Sequence, residues 1–187
     1  MKKAKLTFED KVIDLDVITG SENEIGIDIS KLKIASGMIT LDPGFKNTGS
    51  CESKVTFLDG ENGILRYRGY SIEDLANNAD FLEVSYLLIY GELPTKKKYR
   101  KLLIDIQERS VLDEDVKKIL ETFPRSAHPM GMLSCLTSSL VAFDPSSVDV
   151  NNEEEMYDAF LNLLAKIPIL VAWVFRRRRG LPLEYGD

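Results

Sequence analysis

Residues 54–76, KVTFLDGENGILRYRGYSIEDLA, contain the point at which the chain changes its period, and that change decides the fold. Lys54-Val55-Thr56-Phe57-Leu58 and the run Ile64 to Arg68 are strand-like, and Asp59-Gly60-Glu61-Asn62-Gly63 separates them. Glycine in that separator supplies the positive φ a tight connection needs, so the stretch predicts a β-hairpin at about 54–68. Ser71-Ile72-Glu73-Asp74 then reads as a helix start: the Ser hydroxyl can accept from a free N–H of the first turn, with an acid three positions on. Upstream the spacing is that of strands, and downstream it is that of helices.

From Lys5 to about Tyr70, Leu6 and Phe8 alternate with polar residues, and so do Val12 and the series Ile13, Leu15, Val17. This predicts a small β-rich leader over residues 1–70 and a helical part over 71–187, a mainly α fold with minor β. Phe81 to Tyr90 is apolar on several faces and stops at Gly91. Pro94-Thr95 opens a helix with a stripe of Tyr99, Leu102, Leu103 and Ile106, and Asp113 to Phe123 is a further amphipathic segment. Met130 to Phe143 mixes large apolar residues with Gly131, Ser134, Cys135, Ser138, Ser139 and Ala142, small side chains that admit a neighbouring helix closely. That segment is expected to be buried against other helices. The last helix starts near Glu153, carries acids first and Arg176 to Arg179 last, and so suits the helix dipole at both ends. Its expected core stripe is Met156, Phe160, Leu163, Leu164, Ile167, Val171 and Val174, and Pro168 inside it is expected to bend or split the helix.

With 187 residues the chain is long enough for one domain, or one domain plus a small appendage, and can bury roughly 70% of its unfolded surface. A hydrophobic fraction of 44% excludes a disordered chain. The net charge of −6 argues against general nucleic-acid binding, which depends on excess Lys and Arg. The run Ile167 to Phe175 is far shorter than the roughly 20 residues of a bilayer span, and MKKAKLTFED lacks a signal peptide's apolar core. A cytoplasmic address with no membrane partner is therefore expected. Cys51 and Cys135 alone support neither a disulfide framework nor a zinc site.

No phosphate-binding glycine loop, nucleophile elbow or metal-type cluster appears. The single histidine, His128, lies in Ser126-Ala127-His128-Pro129-Met130, where an imidazole can cap or orient a helix start; as a general base it would need a partner carboxylate and a cleft. The Arg176 to Arg179 run suits phosphate chemically, yet such runs are more often solvated helix ends. Glu153 to Glu155 is a helix start before it is a metal site. Arg66 and Arg68, on one strand, read as an exposed edge or an ion-pair set.

Taken together, CESKVTFLDGENGILRYRGYSIEDLA, FLEVSYLLIYGELPT, FPRSAHPMGMLSCLTSSLVAF and LLAKIPILVAWVFR resemble, in order and spacing, consecutive blocks of the long bacterial (type II) citrate synthases. The resemblance covers essentially the whole chain and marks it as the amino-terminal part of such an enzyme, a fragment of its helical large domain behind a β-rich segment. It implies a parent acyltransferase of the tricarboxylic acid cycle that condenses acetyl-CoA with oxaloacetate and releases citrate and CoA, with no resident cofactor and no metal. The family's aspartate base, its two catalytic histidines and its carboxylate-binding arginines lie in the carboxy-terminal part, so no catalytic residue is expected in this chain. Family members continue into their next helix where this sequence reaches Leu181 to Asp187, and a truncated, inactive piece is expected.

The resemblance also implies assembly and regulation. Long bacterial members are often dimers or hexamers, and the helix after AHPM, Met130 to Phe143 here, lies in their dimer interface, so self-association through it is expected. Some are inhibited allosterically by NADH. Lys166 stands at the family's phosphate-binding lysine and Arg109 is the remaining basic residue of Glu108-Arg109-Ser110, where an Arg-His-Thr run is usual; Asn162 and Asp144 replace other expected members. Arg109 and Lys166 are thus the candidate nucleotide-regulatory residues, with weak or absent NADH binding expected. The competing readings are a complete, non-enzymatic helical interaction module and a fragment of a 2-methylcitrate synthase.

Overall fold

The computed structural model describes residues 2–143, 149 and 151–184. Strands β1 (Lys3–Phe8), β2 (Lys11–Thr19) and β3 (Ile25–Asp28) form an antiparallel sheet in that order, with Leu6 opposite Ile13 and Val17 opposite Ile27. Alternation puts Ile13, Leu15 and Val17 on one face, and the single-turn α1 (Leu32–Ser36) packs on β2 so that Leu15 and Leu32 are buried. Val12 and Ile18, on the other face, stay exposed.

The second sheet is β4 (Thr56–Asp59), β5 (Ile64–Tyr67) and β6 (Tyr70–Ser71), with Phe57 opposite Arg66 and Tyr67 opposite Tyr70. In the β4–β5 turn the Asp59 carboxylate accepts from the N–H groups of Glu61 and Asn62, and Gly63 takes φ +67°. Arg66 pairs with Glu22, tying the second sheet to the loop after β2. Arg68 is not an exposed edge, and among the described residues it has no ion-pair partner. It and Gly69 make the two-residue β5–β6 connection at φ +50° and +90°, a turn that normally favours Asn-Gly. An arginine is held there because its guanidinium donates to the Leu88 carbonyl through Nη2 (2.7 Å) and Nε (3.2 Å), clamping the sheet onto the next helices.

Those helices begin and end on local chemistry. For α2 (Ile72–Asn78) the Ser71 hydroxyl accepts from the Asp74 N–H at 3.1 Å. For α3 (Phe81–Tyr90) Asp80 and Glu83 form a reciprocal capping box, and Gly91 ends the helix in the left-handed region. α4 (Lys96–Arg109) starts on Thr95 and α5 (Glu114–Thr122) on Asp113. Burial pushes the Asp80 carboxyl up, but the bonds it accepts from Tyr99 Oη and from the N–H groups of Glu83 and Leu82 outweigh this and hold it below the usual range. That bond to Asp80, with partial burial and the nearby charges of Asp80 and Glu83, pushes the Tyr99 phenol up to about 12.

Two further helices follow among the described residues: α6 (Pro129–Phe143) and α7 (Glu153–Arg179). The main core joins α5, α6 and α7 through Val116, Leu120, Met132, Leu136, Leu170 and Trp173, none more than 0% exposed. A smaller core joins α3, α4 and α7 through Tyr86, Leu102 and Leu161. Leu103, expected on the inner stripe of α4, is exposed.

Three expectations for the last two helices are corrected. First, the buried side of α7 is Leu161, Ala165, Leu170, Trp173 and Val174, so of the predicted stripe only Val174 is buried; Met156, Leu163 and Val171 are exposed. The helix is apolar nearly all round, so periodicity selects no unique face. Second, α7 runs unbroken through Pro168, which is exposed, where solvent can serve the carbonyl left without a donor. By length and composition the continuous helix is apolar enough to cross a membrane, which the short run Ile167 to Phe175 did not suggest. Third, α6 buries Met132, Leu136 and Leu140, while its small residues Gly131, Ser134, Cys135, Ser138 and Ala142 face outward.

Candidate functional site

His128 precedes α6, is exposed, and its Nδ1 accepts from the Met130 N–H at 3.3 Å. No hydrogen bond or ion pair joins it to a carboxylate among the described residues, so it orients a helix start and has no partner for proton transfer. No group of His, Cys, Asp and Glu among the described residues could hold a metal.

Arg109, at the end of α4, donates from Nη1 to the Asp105 carbonyl at 3.0 Å and from Nη2 to the Asp158 carboxylate at 2.8 Å. It therefore fastens α4 to the second turn of α7, and an incoming anion would have to compete with Asp158. Lys166 is half-buried on α7 and already has an interaction within the chain. It lies two turns beyond Asp158, about 12 Å along the axis. Asp144, at a further position of the expected nucleotide site, falls outside the described residues.

The arginine run is more than a solvated end. Arg176 donates to the Pro182 carbonyl and pairs with Glu184 at 2.5 Å, and Arg177 donates through Nη2 to the carbonyls of Glu121 (2.7 Å) and Phe123 (3.1 Å) at the end of α5. Arg179 lies over the Phe175 ring. Beside Arg177 is a cavity of about 440 Å³ whose wall includes Lys117, Glu121 and Arg125. On the other side of α7 a groove of about 270 Å³ is walled by Phe81, Phe160, Leu163, Leu164, Ile167 and Pro168. This groove holds much of the stripe expected in the core, and the basic cavity was not visible in the sequence because its cations come from three segments.

The described residues therefore supply helix-packing faces, ion-pair fasteners and a basic cavity, with no acid–base pair. The family model described as "Citrate synthase, C-terminal domain" matches residues 44–187. A citrate synthase of Corynebacterium glutamicum is 44% identical over 185 residues, which is 99% of this chain and 42% of that protein. Citrate synthase 1 of Mycobacterium tuberculosis is 39% identical over 98% of this chain and 43% of its own length. Among solved structures, the Thermoplasma acidophilum citrate synthase in ternary complex with carboxymethyl coenzyme A and oxaloacetate superposes with a TM-score of 0.73 at 26% identity, over 79% of this chain and 39% of that one. Citrate synthase from Pyrobaculum aerophilum gives 0.67 at 28% identity, over 89% and 40%. The chain thus spans less than half the length of the relatives it matches, and by a family match covering most of its residues it belongs to the citrate synthase family.

Proposed function

We propose that the chain is the amino-terminal part of a cytoplasmic citrate synthase whose parent enzyme condenses acetyl-CoA with oxaloacetate, and that it contributes scaffold and subunit contacts while the proton-transfer groups come from the rest of the parent. The observation that carries this reading is the pairing of nearly full coverage of this chain with 42% coverage of its relative, alongside a lone histidine spent on a helix start. The ternary complex of the Thermoplasma acidophilum enzyme supplies the substrate class. Carbon–carbon bond formation at an acetyl methyl needs a base and electrophilic partners in one cleft, and the described residues assemble no such set. The isolated chain is expected to show no CoA thiol release from acetyl-CoA with oxaloacetate. Turnover within about tenfold of an intact enzyme, a barrier difference of roughly 1.4 kcal/mol, would refute the proposal.

The outward small-residue face of α6 supports self-association, since Gly131, Ser134, Cys135, Ser138 and Ala142 let a second helix approach closely while Met132, Leu136 and Leu140 anchor the helix inside. Sedimentation is expected to show a dimer at micromolar concentration; a folded chain that stays monomeric counts against it. Arg109 and Lys166 remain the nucleotide-regulatory candidates. Because Asp158 already holds the Arg109 guanidinium, calorimetry should find NADH binding weak or absent, and tight, salt-sensitive binding would show that the two cations suffice.

A further inference from the structure

We infer that the cavity between the ends of α5 and α7 binds a small phosphoryl anion of pyrophosphate size, held by Arg125 and Lys117 against the guanidinium of Arg177. This reading does not depend on the family assignment.

Arg177 sits in the last turn of α7 and donates to two terminal carbonyls of α5, both neutral acceptors. Its Nε is buried without a hydrogen-bond partner, and the guanidinium forms no ion pair among the described residues, so a positive charge stands in the cavity wall. Arg125, in the α5–α6 connection, has no hydrogen-bond or ion-pair partner among the described residues. Its guanidinium lies beside Gly180, where an added Cβ would meet Nη1 at 2.6 Å and the guanidinium carbon at 3.0 Å. Glycine is what lets that arginine rest over the end of α7, at a φ of +70° that also closes the helix. Lys117, on α5, is 3.8 Å from Glu114 and presents a third cation.

Charge and shape choose the ligand. Three cations and one acid, Glu121, line the cavity, and because Lys117 is also paired with Glu114, the excess positive charge of the wall rests on Arg125 and Arg177. Two guanidinium forks match tetrahedral oxyanions, which accept bidentate bonds. About 440 Å³ is many times the roughly 30 Å³ share of a water molecule, which suits a diphosphate rather than a single small ion. Among the described residues no aromatic ring lines the cavity, so these residues offer no stacking platform for a nucleobase. The site is also distinct from the regulatory candidates, since Lys166 is eleven residues, about 16 Å, back along α7.

The test is a calorimetric titration of the full chain with sodium pyrophosphate at low, fixed ionic strength, with succinate as the carboxylate arm. Saturable pyrophosphate binding is expected, with succinate weaker by about tenfold or more. Arg125→Gln should weaken it by about tenfold or more, and Arg125→Lys by a smaller factor because charge survives while the fork is lost. Arg178→Gln removes the same charge from an exposed residue outside the cavity and should leave the affinity unchanged. Circular dichroism confirms folding of each variant, and Lys117→Gln substitutes with the same threshold if Arg125→Gln does not fold. Absence of saturable binding overturns the inference, and so does an equal loss in Arg125→Gln and Arg178→Gln. Succinate binding as tightly as pyrophosphate overturns the phosphoryl assignment.

Discussion

Replacing Trp173 by Ala should lower the stability of the chain by about 3–5 kcal/mol, enough to remove most of the margin of a small domain. Trp173 is 0% exposed and belongs to the core that joins α5, α6 and α7. Truncation to Ala loses the transfer free energy of the indole and leaves a void that the three helices can only partly close. A second loss adds to this. The indole Nε1–H donates to the Glu184 carbonyl at 2.6 Å, so the same side chain holds the segment after α7 against the core, where Leu183 packs. Trp173→Phe keeps much of the apolar volume and should cost less, about 1–2 kcal/mol, mostly the hydrogen bond. Urea unfolding followed by far-ultraviolet circular dichroism measures both, because the Ala variant removes the chain's single tryptophan and with it the fluorescence signal. A loss below about 1 kcal/mol for Trp173→Ala would show that this core is not as assembled as described.

Arg68→Ala should be the second largest change, about 2–3 kcal/mol. The guanidinium makes two charge-assisted bonds to one carbonyl, that of Leu88 near the end of α3, and its removal strands that acceptor. Backbone conformation sharpens the test. Because residue 68 stands at φ +50°, Arg68→Gly removes the same clamp but relieves the left-handed strain, so it should recover about 0.5–1 kcal/mol relative to the Ala variant. Equal stabilities for the Ala and Gly variants would mean that the turn does not hold this conformation.

The two variants also mark where the sequence was legible. Helix starts and stops could be read because their chemistry is local: Ser71 accepts from a residue three positions away, and Gly91 closes α3 at its own position. The hairpin could be read for the same reason, from Asp59 and Gly63 within one turn. What escaped depends on contacts distant in sequence. The Arg68 clamp reaches 20 residues and the Arg109–Asp158 bond 49. The inner face of α7 escaped because Met156, Leu163 and Val171 are as apolar as Leu161, Ala165 and Leu170, and only the positions of α4, α5 and α6 choose between them. In the candidate site, Arg109 and Lys166 could be found by family position, but the carboxylate that occupies Arg109 could not. The basic cavity needed Lys117, Arg125 and Arg177 to be brought together by folding.

One consequence follows from α7 serving both apolar clusters, through Leu161 for one and Leu170, Trp173 and Val174 for the other. A rod shared in this way couples its two ends: thinning the contacts at either cluster loosens the same backbone, so neither can melt while the other keeps its native register. The slowest-exchanging amides should accordingly run along the middle of this helix, across Pro168, as a single protected block.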